Sequence, residues 1–262
     1  MAFYDLEKKE RAALAADISH ELHEAFLYRN LVPVVLYFSD NDTYIRKAAY
    51  TATGRIYFAA ADLQHTLPGL LAGLLEHPHD KVRQTVINAA GEIGKKEFGQ
   101  MRPFFDKGLL DPAHIVRNAV IGSVKKMGQV NPAPVLAWAR EYLHHPDKEI
   151  RREICHGIEL RGRTHPEDIL PLLEELQWDT TARVSNTLVH VIGQIAYKKG
   201  CLEKVALALL DWENRKLVQK ALAEILSVHH RYRNFAAMST QDARAYLAAC
   251  FDGLIQLSDK EE

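Results

Sequence analysis

The chain has 262 residues, 47% hydrophobic and 26% charged, enough apolar mass for a substantial core and too little bias for disorder. Thirty-three Lys and Arg face thirty-four Asp and Glu, a formal net charge of −1, so no global field advertises nucleic acid or an anionic membrane. Cys155, Cys201 and Cys250 are far apart and lack CxxC spacing, which excludes a disulfide framework or zinc knuckle and fits reduced thiols in a cytoplasm.

The N-terminal stretch MAFYDLEKKERAALAADISHEL carries charge where a secretion signal needs its apolar run, and no window approaches eighteen uninterrupted apolar residues. The expectation is a chain neither secreted by that route nor membrane-spanning. Residues 4–28 predict a charge-rich amphipathic helix. Within it His20, Glu21, His23 and Glu24 place the histidines three apart, whereas the zincin pattern needs four, so they read as an exposed helix face.

A repeated phrase follows. DKVRQTVINAAGEIG at 80–94 returns as HIVRNAVIGSVKKMG at 114–128. With Arg83 as register position, the equivalents are Arg46, Arg83, Arg117, Arg151, Ser185 and Gln219, spaced by 37 residues and then by 34 four times. An apolar residue precedes each: Ile45, Val82, Val116, Ile150, Val184 and Val218. Such a period signals a repeat array.

In each unit the register position opens a helix B, whose apolar residues follow three-and-four spacing, as Val82, Val86, Ala89, Ala90 and Ile93 do. Eleven residues on, Gly94, Gly128 and Gly162 predict a left-handed helix stop. Upstream lie apolar A helices: LVPVVLYF, LPGLLAGLL, MRPFFDKGLL, APVLAWAREYL, ILPLLEELQW and CLEKVALALLDW. Pro33, Pro68, Pro103 and Pro171 are expected in their first turns. Trp178 and Trp212, one period apart beside Asp179 and Asp211, are expected to pack between units. Polar turns such as HPHD, DPAH and HPDKE join A to B. Residues 229–240, HHRYRNFAAMST, read as a longer irregular connection, and 240–257 as a last helix.

One hairpin holds too little core to stand alone and must stack on the next. The reading is therefore all-α, a right-handed α-α superhelix of about six helical hairpins in a single domain over 1–262. Residues 1–29 form the N-terminal cap, 30–233 the six repeats and 234–262 the C-terminal cap.

The order Asp, turn, Val-Arg, alanine-rich helix, Gly in units two to four resembles the HEAT-repeat family, which includes the HEAT-like repeats of bilin lyases. That resemblance implies a ladder of Asp and Arg from successive units, which assigns Asp80, Asp111 and Asp147 to the neighbourhood of Arg83, Arg117 and Arg151, and B helices lining a concave side. It specifies activity hardly at all. The exposed B positions then fall one, five, eight and twelve residues after the register position. The first three units give Lys47, Thr51, Gly54 and Phe58; Gln84, Asn88, Gly91 and Lys95; and Asn118, Gly122, Lys125 and Gln129. The candidate ligand-binding groove comes from the last three: Arg152, His156, Glu159, Arg163, Asn186, His190, Tyr197, Lys220 and Glu224. His156 and His190 lie one period apart with Glu159 and Glu224 nearby. A metal or a general acid/base would use such groups, but a solvated polar groove accounts for them, and no metal site, cofactor or catalytic residue is expected.

A second feature is a basic ridge at the ends of the B helices: Arg55, Lys95, Lys96, Lys125, Lys126, Arg161, Lys198, Lys199, Arg231 and Arg233, with Arg163 beside it. The helix dipole favours cations there without any partner, and a phosphate backbone would also track such a row. The leading expectation is a non-catalytic cytoplasmic binding scaffold for a peptide, protein or other macromolecule. The alternative is nucleic-acid binding, on a broad similarity to HEAT-like alkylpurine DNA glycosylases, although Trp138, Trp178 and Trp212 all fall on A segments. Deoxyhypusine hydroxylase resembles the chain in repeat length, but the His-Glu dipeptides of its iron site have no counterparts at the matching places.

Overall fold

The computed structural model describes residues 3–251. The remainder of the expected C-terminal cap, 252–262, and the first two residues of the N-terminal cap lie outside them. The described residues form helices and turns without a strand, and the chain divides into two compact units, Met1–Val135 and Leu136–Glu262.

The first unit opens with α1 (Lys8–Leu27), held at its start by a capping box in which Glu10 accepts from the Glu7 N–H. Then come α2 (Val32–Ser39) and α3 (Thr43–Ala59), the short α4 (Ala61–Gln64), α5 (Leu67–Leu74), α6 (Asp80–Gly108) and α7 (His114–Val130). Non-helical torsions at Glu97 divide α6, so its first half is the B helix of one hairpin and its second half the A helix of the next. After α8 (Pro132–Tyr142), the second unit holds α9 (Lys148–Gly157), α10 (Glu159–Gly162), α11 (Pro166–Glu174), α12 (Ala182–Ala196), α13 (Leu202–Asp211), α14 (Arg215–Arg231) and α15 (Thr240–Cys250). Among the described residues the helices thus form six hairpins: α2/α3, α5/α6, α6/α7, α8/α9–α10, α11/α12 and α13/α14. α14 runs through His229 to Arg231, so the connection read as irregular is shorter than expected.

The apolar stripes face inward. Val82, Val86, Ala89, Ala90 and Ile93 are fully buried, as are Leu67 and Leu71 of the paired A helix. In the second unit Val184, Leu188 and Val191 of α12 share that fate with Val205 and Leu209 of α13. Burial of each such side chain stabilises by about 1.5–3 kcal/mol. No helix of the described residues is long and apolar enough to cross a membrane.

The arginines at the register position fasten the turns. Arg83 Nη1 donates to the carbonyls of His77 (2.9 Å) and Pro78 (3.0 Å), while Nε and Nη2 reach Asp111 Oδ2 and Oδ1 at 2.7 and 2.9 Å. Arg151 repeats this with His145 O (2.7 Å), Pro146 O (3.0 Å) and Asp179 Oδ2 (2.6 Å). Arg117 donates to the carbonyls of Asp111 and Pro112. The bidentate ladder contacts join Arg83 and Arg151 to the aspartate of the following turn, 28 residues on, while Asp80 and Asp111 remain in the electrostatic neighbourhood of Arg83 and Arg117. Asp80 starts α6, and Asp147 caps α9 by accepting from Glu149 N at 2.8 Å.

Three further expectations are corrected. Gly94 and Gly162 do not stop helices in the left-handed region, which among the described glycines only Gly200 occupies, at φ 70°. They allow close packing: a Cβ on Gly94 would sit 2.6 Å from Met127 Sδ, and one on Gly162 would strike the Ile169 side chain and come 2.8 Å from Ile195 Cγ2. Gly128 is looser, with Val135 Cγ1 at 3.9 Å. Pro33 and Pro68 do lie in first turns, but Pro103 and Pro171 are inside helices, and Pro166 starts α11 instead. Trp212 and Trp138 are buried, whereas Trp178, four residues past the end of α11 at Glu174, is 61% exposed.

Two predictions follow from this packing. Gly162→Ala should destabilise by about 1–3 kcal/mol through overpacking against stiff isoleucines. Gly122→Ala, in a helix with nothing within 4 Å, should stabilise by roughly 0.5–1 kcal/mol. Urea unfolding of both variants checks the opposed signs. Burial alone would raise the Asp111 carboxyl pKa, but the Arg83 hydrogen bond, the Ala113 N–H and the charges of Arg83 and Arg117 outweigh it and hold it below its ordinary value. A depressed folded pKa gives stability above the unfolded value of about 3.9, lost as pH falls through the folded one. Asp111→Asn should thus cost about 1.5–3 kcal/mol at neutral pH and progressively less below about pH 4. An unchanged cost at acid pH would contradict the pairing.

Candidate functional site

The predicted groove residues all lie in the second unit, on the B helices α9–α10, α12 and α14 or, for Arg163 and Tyr197, at the caps just past the ends of α10 and α12. α9 ends at Gly157, and Ile158 lets α10 begin at once, so Glu159 turns inward. Its exposure is 1%, against the expectation of a groove-facing carboxylate. Two neighbours account for that burial: His156 Nε2 stands 3.1 Å from Glu159 Oε2, and Arg163 Nη2 donates to Oε1. Arg163 Nη2 also reaches Gln194 Oε1 at 3.0 Å, joining the cluster to α12.

His190, one period after His156, comes beside it. The rings are 6.2 Å apart and edge-to-face, and one ligand atom each from His156, Glu159 and His190 lie within 4.8 Å of one another. Behind His190, Nδ1 has Glu224 Oε1 of α14 at 3.9 Å, and Arg231 Nη2 is 3.8 Å from the same oxygen.

Next to this cluster is an open depression of ≈ 350 Å³ lined by Arg152, His156, Arg183, Asn186, Thr187 and His190. Glu149 of α9 bridges the two arginines, with Arg152 Nε at 2.9 Å and Arg183 Nε at 3.2 Å. Arg183 and Thr187 were missed in the sequence. The signal for them was present: positions 183, 186/187 and 190 continue the three-and-four spacing of the groove face one turn towards the start of α12.

Tyr197 is buried, again unlike its expected exposure, because it stacks on Tyr232 with centroids 5.3 Å apart. Lys220 is exposed on α14. Cys155 adjoins His156 in sequence but is fully buried, and burial, with a further contribution from Glu159, pushes its thiol pKa far up. It is no nucleophile at neutral pH.

The basic-ridge residues have internal partners in both units. In the first, Lys95 pairs with Glu92, Lys126 lies 3.8 Å from the same carboxylate and 5.2 Å from the Tyr50 ring centre, and Lys96 lies over Phe58. Lys125 is half-buried and Arg55 exposed. In the second, Arg161 pairs with Asp168 at 2.7 Å and Lys198 lies over Tyr197 at 4.4 Å. Lys199, Arg231 and Arg233 are exposed.

Hairpins of this period, clasped by arginines at their turns, define an all-α helical-repeat fold. No protein-family model matches the chain, and no curated protein matches it. Among solved structures it is similar to an archaeal HEAT-like repeats protein from Thermococcus onnurineus NA1, at 17% identity over 95% of this chain and 98% of that one, TM-score 0.43. A designed armadillo repeat protein matches at 16% identity over 83% of this chain and 98% of its own, TM-score 0.38. A chain of the Kap95p–RanGDP complex matches at 15% identity over 83% of this chain and 32% of that one, TM-score 0.46. At these identities the likeness is one of repeat architecture alone.

Proposed function

We propose that the chain is a non-catalytic, cytoplasmic binding scaffold whose B-helix face on α9–α10, α12 and α14 takes an extended peptide or protein segment. The observation that carries this reading is the depression between α9 and α12. Arg152, Arg183, Asn186, Thr187 and the two histidines present donors and acceptors on an open surface, in register from one helix to the next. A peptide backbone, which offers both N–H and C=O groups at regular intervals, suits a wall of that kind. Arg152 is held by both Glu149 and Glu153, whereas Arg183, 64% exposed, has only a share of Glu149 at 3.2 Å, so Arg183 is the cation that a carboxylate of the segment would meet. The buried Cys155 supplies no nucleophile to this surface.

The basic ridge supports nucleic-acid binding less well, since Lys95, Lys126, Arg161 and Lys198 already have carboxylate or ring partners within the chain. An immobilised peptide library should resolve the two readings. Acidic peptides retained by the protein should lose at least about tenfold in affinity, roughly 1.4 kcal/mol, when Arg183→Ala and Asn186→Ala are combined, with the thermal melt unchanged. Equal retention by the variant contradicts the assignment. So does salt-sensitive retention of duplex DNA that Lys198→Glu with Lys199→Glu abolishes.

A further inference from the structure

We infer that His156, Glu159 and His190 form a binding site for a divalent first-row transition ion of the Zn²⁺ kind, one that ties the fourth hairpin to the fifth. The inference does not rest on the peptide reading, and an ion can bind there whether or not a peptide does.

The donor set comes first. Two imidazoles and one carboxylate are the ligands of zinc and its neighbours in the series, whereas Mg²⁺ and Ca²⁺ demand a shell of oxygens. Repetition puts those donors together. His156 and Glu159 are one turn apart, and His190 is the same register position one period later, so stacking of α12 on α9 brings the third ligand to the first two.

Distances are near what coordination needs. Metal–ligand bonds of about 2.0–2.2 Å at tetrahedral angles separate donor atoms by roughly 3.3–3.6 Å. His156 Nε2 and Glu159 Oε2 are already 3.1 Å apart, and the whole set lies within 4.8 Å. Closure therefore asks for a movement of about an ångström or so, which rotation of the His190 ring supplies. That side chain is 43% exposed and His156 34%, so both can adjust, while Glu159, 2% exposed, forms a fixed floor.

The surroundings complete the case. Arg163 holds the second carboxylate oxygen, fixing the orientation of Glu159 and leaving Oε2 towards His156. Glu224 Oε1 stands 3.9 Å from His190 Nδ1, on the side from which a carboxylate commonly orients a ligating imidazole, and shortening of that contact as the ring rotates would leave Nε2 for the ion. His156 and His190 also line the depression, so an ion has a route in and a remaining coordination position for water or a ligand carboxylate. Arg163 withdraws part of the carboxylate's charge, and the affinity expected is accordingly micromolar, below that of a closed structural zinc site.

The test uses tag-free, full-length protein stripped with chelator and titrated with Co²⁺ by visible absorption, then with Zn²⁺ in competition with a chromophoric chelator. The expected result is one saturating ion per chain, ligand-field bands of low coordination number, and a loss of affinity greater than tenfold in each of His156→Ala and His190→Ala. Both histidines are half-exposed, so circular dichroism should show these variants folded. His20→Ala with His23→Ala, which removes a surface histidine pair of α1, should leave the titration unchanged. Absence of saturation up to millimolar ion, or binding equal to wild type in the His156→Ala/His190→Ala double variant, overturns the site.

Discussion

The hairpin turns that precede α3, α6, α7 and α9 are each clasped by one arginine, Arg46, Arg83, Arg117 and Arg151. Its Nη1 caps two carbonyls that the end of the A helix and the turn leave without helical partners, and in Arg83 and Arg151 the rest of the guanidinium forks onto the aspartate of the next turn. A planar donor array serves both tasks, whereas a lysine could serve only one. Asp179 shows the same balance as Asp111: burial opposes its charge, and the hydrogen bonds from Arg151 and Thr181 overcome that to keep its pKa low. Turn geometry and unit-to-unit spacing are thus set by the same side chain, and helices one period apart stay in register.

The site is a consequence of that register. A groove residue on a repeat protein acquires neighbours from the equivalent position of the next unit, so a motif that looks dispersed in sequence becomes compact. His156 and His190 are 34 positions apart in the chain and 6.2 Å apart between ring centres. The break at Ile158 adds what a regular helix would not: it sends Glu159 beneath the surface, where Arg163 and His156 compensate its charge. Polar chemistry is thereby concentrated at one junction of α9–α10 with α12, while the equivalent positions of the first unit are mostly half-buried, with Gly54 and Gly91 buried outright.

Much of this was legible in the residues. Val82, Val116, Ile150, Val184 and Val218 recur at a fixed period and are all buried, so helix number, pairing and register could be read from apolar spacing alone. What escaped the sequence were choices made by partners in space. Asp80 lies three residues from Arg83 and Asp111 twenty-eight, and only the stacked structure shows that Arg83 takes the later one. Gly94 and Gly162 have the spacing of helix stops, yet their missing side chains matter because Met127, Ile169 and Ile195 press against them. Glu159 and Tyr197 occupy nominally exposed positions, but a helix break and a tyrosine stack bury them. Trp178 shares its period with Trp212 and still points outward, since periodicity fixes the backbone phase and not where each A helix ends.

The central claim is that the arginine fork couples consecutive hairpins, and a double-mutant cycle on Arg151 and Asp179 measures it most directly. Arg151→Ala, Asp179→Ala and the double variant would be unfolded in urea beside the wild type. The account requires a coupling energy of about 1–3 kcal/mol between the two side chains. Additive losses, within about 0.5 kcal/mol, would mean that the apolar stack alone holds the hairpins in register and that the fork is incidental.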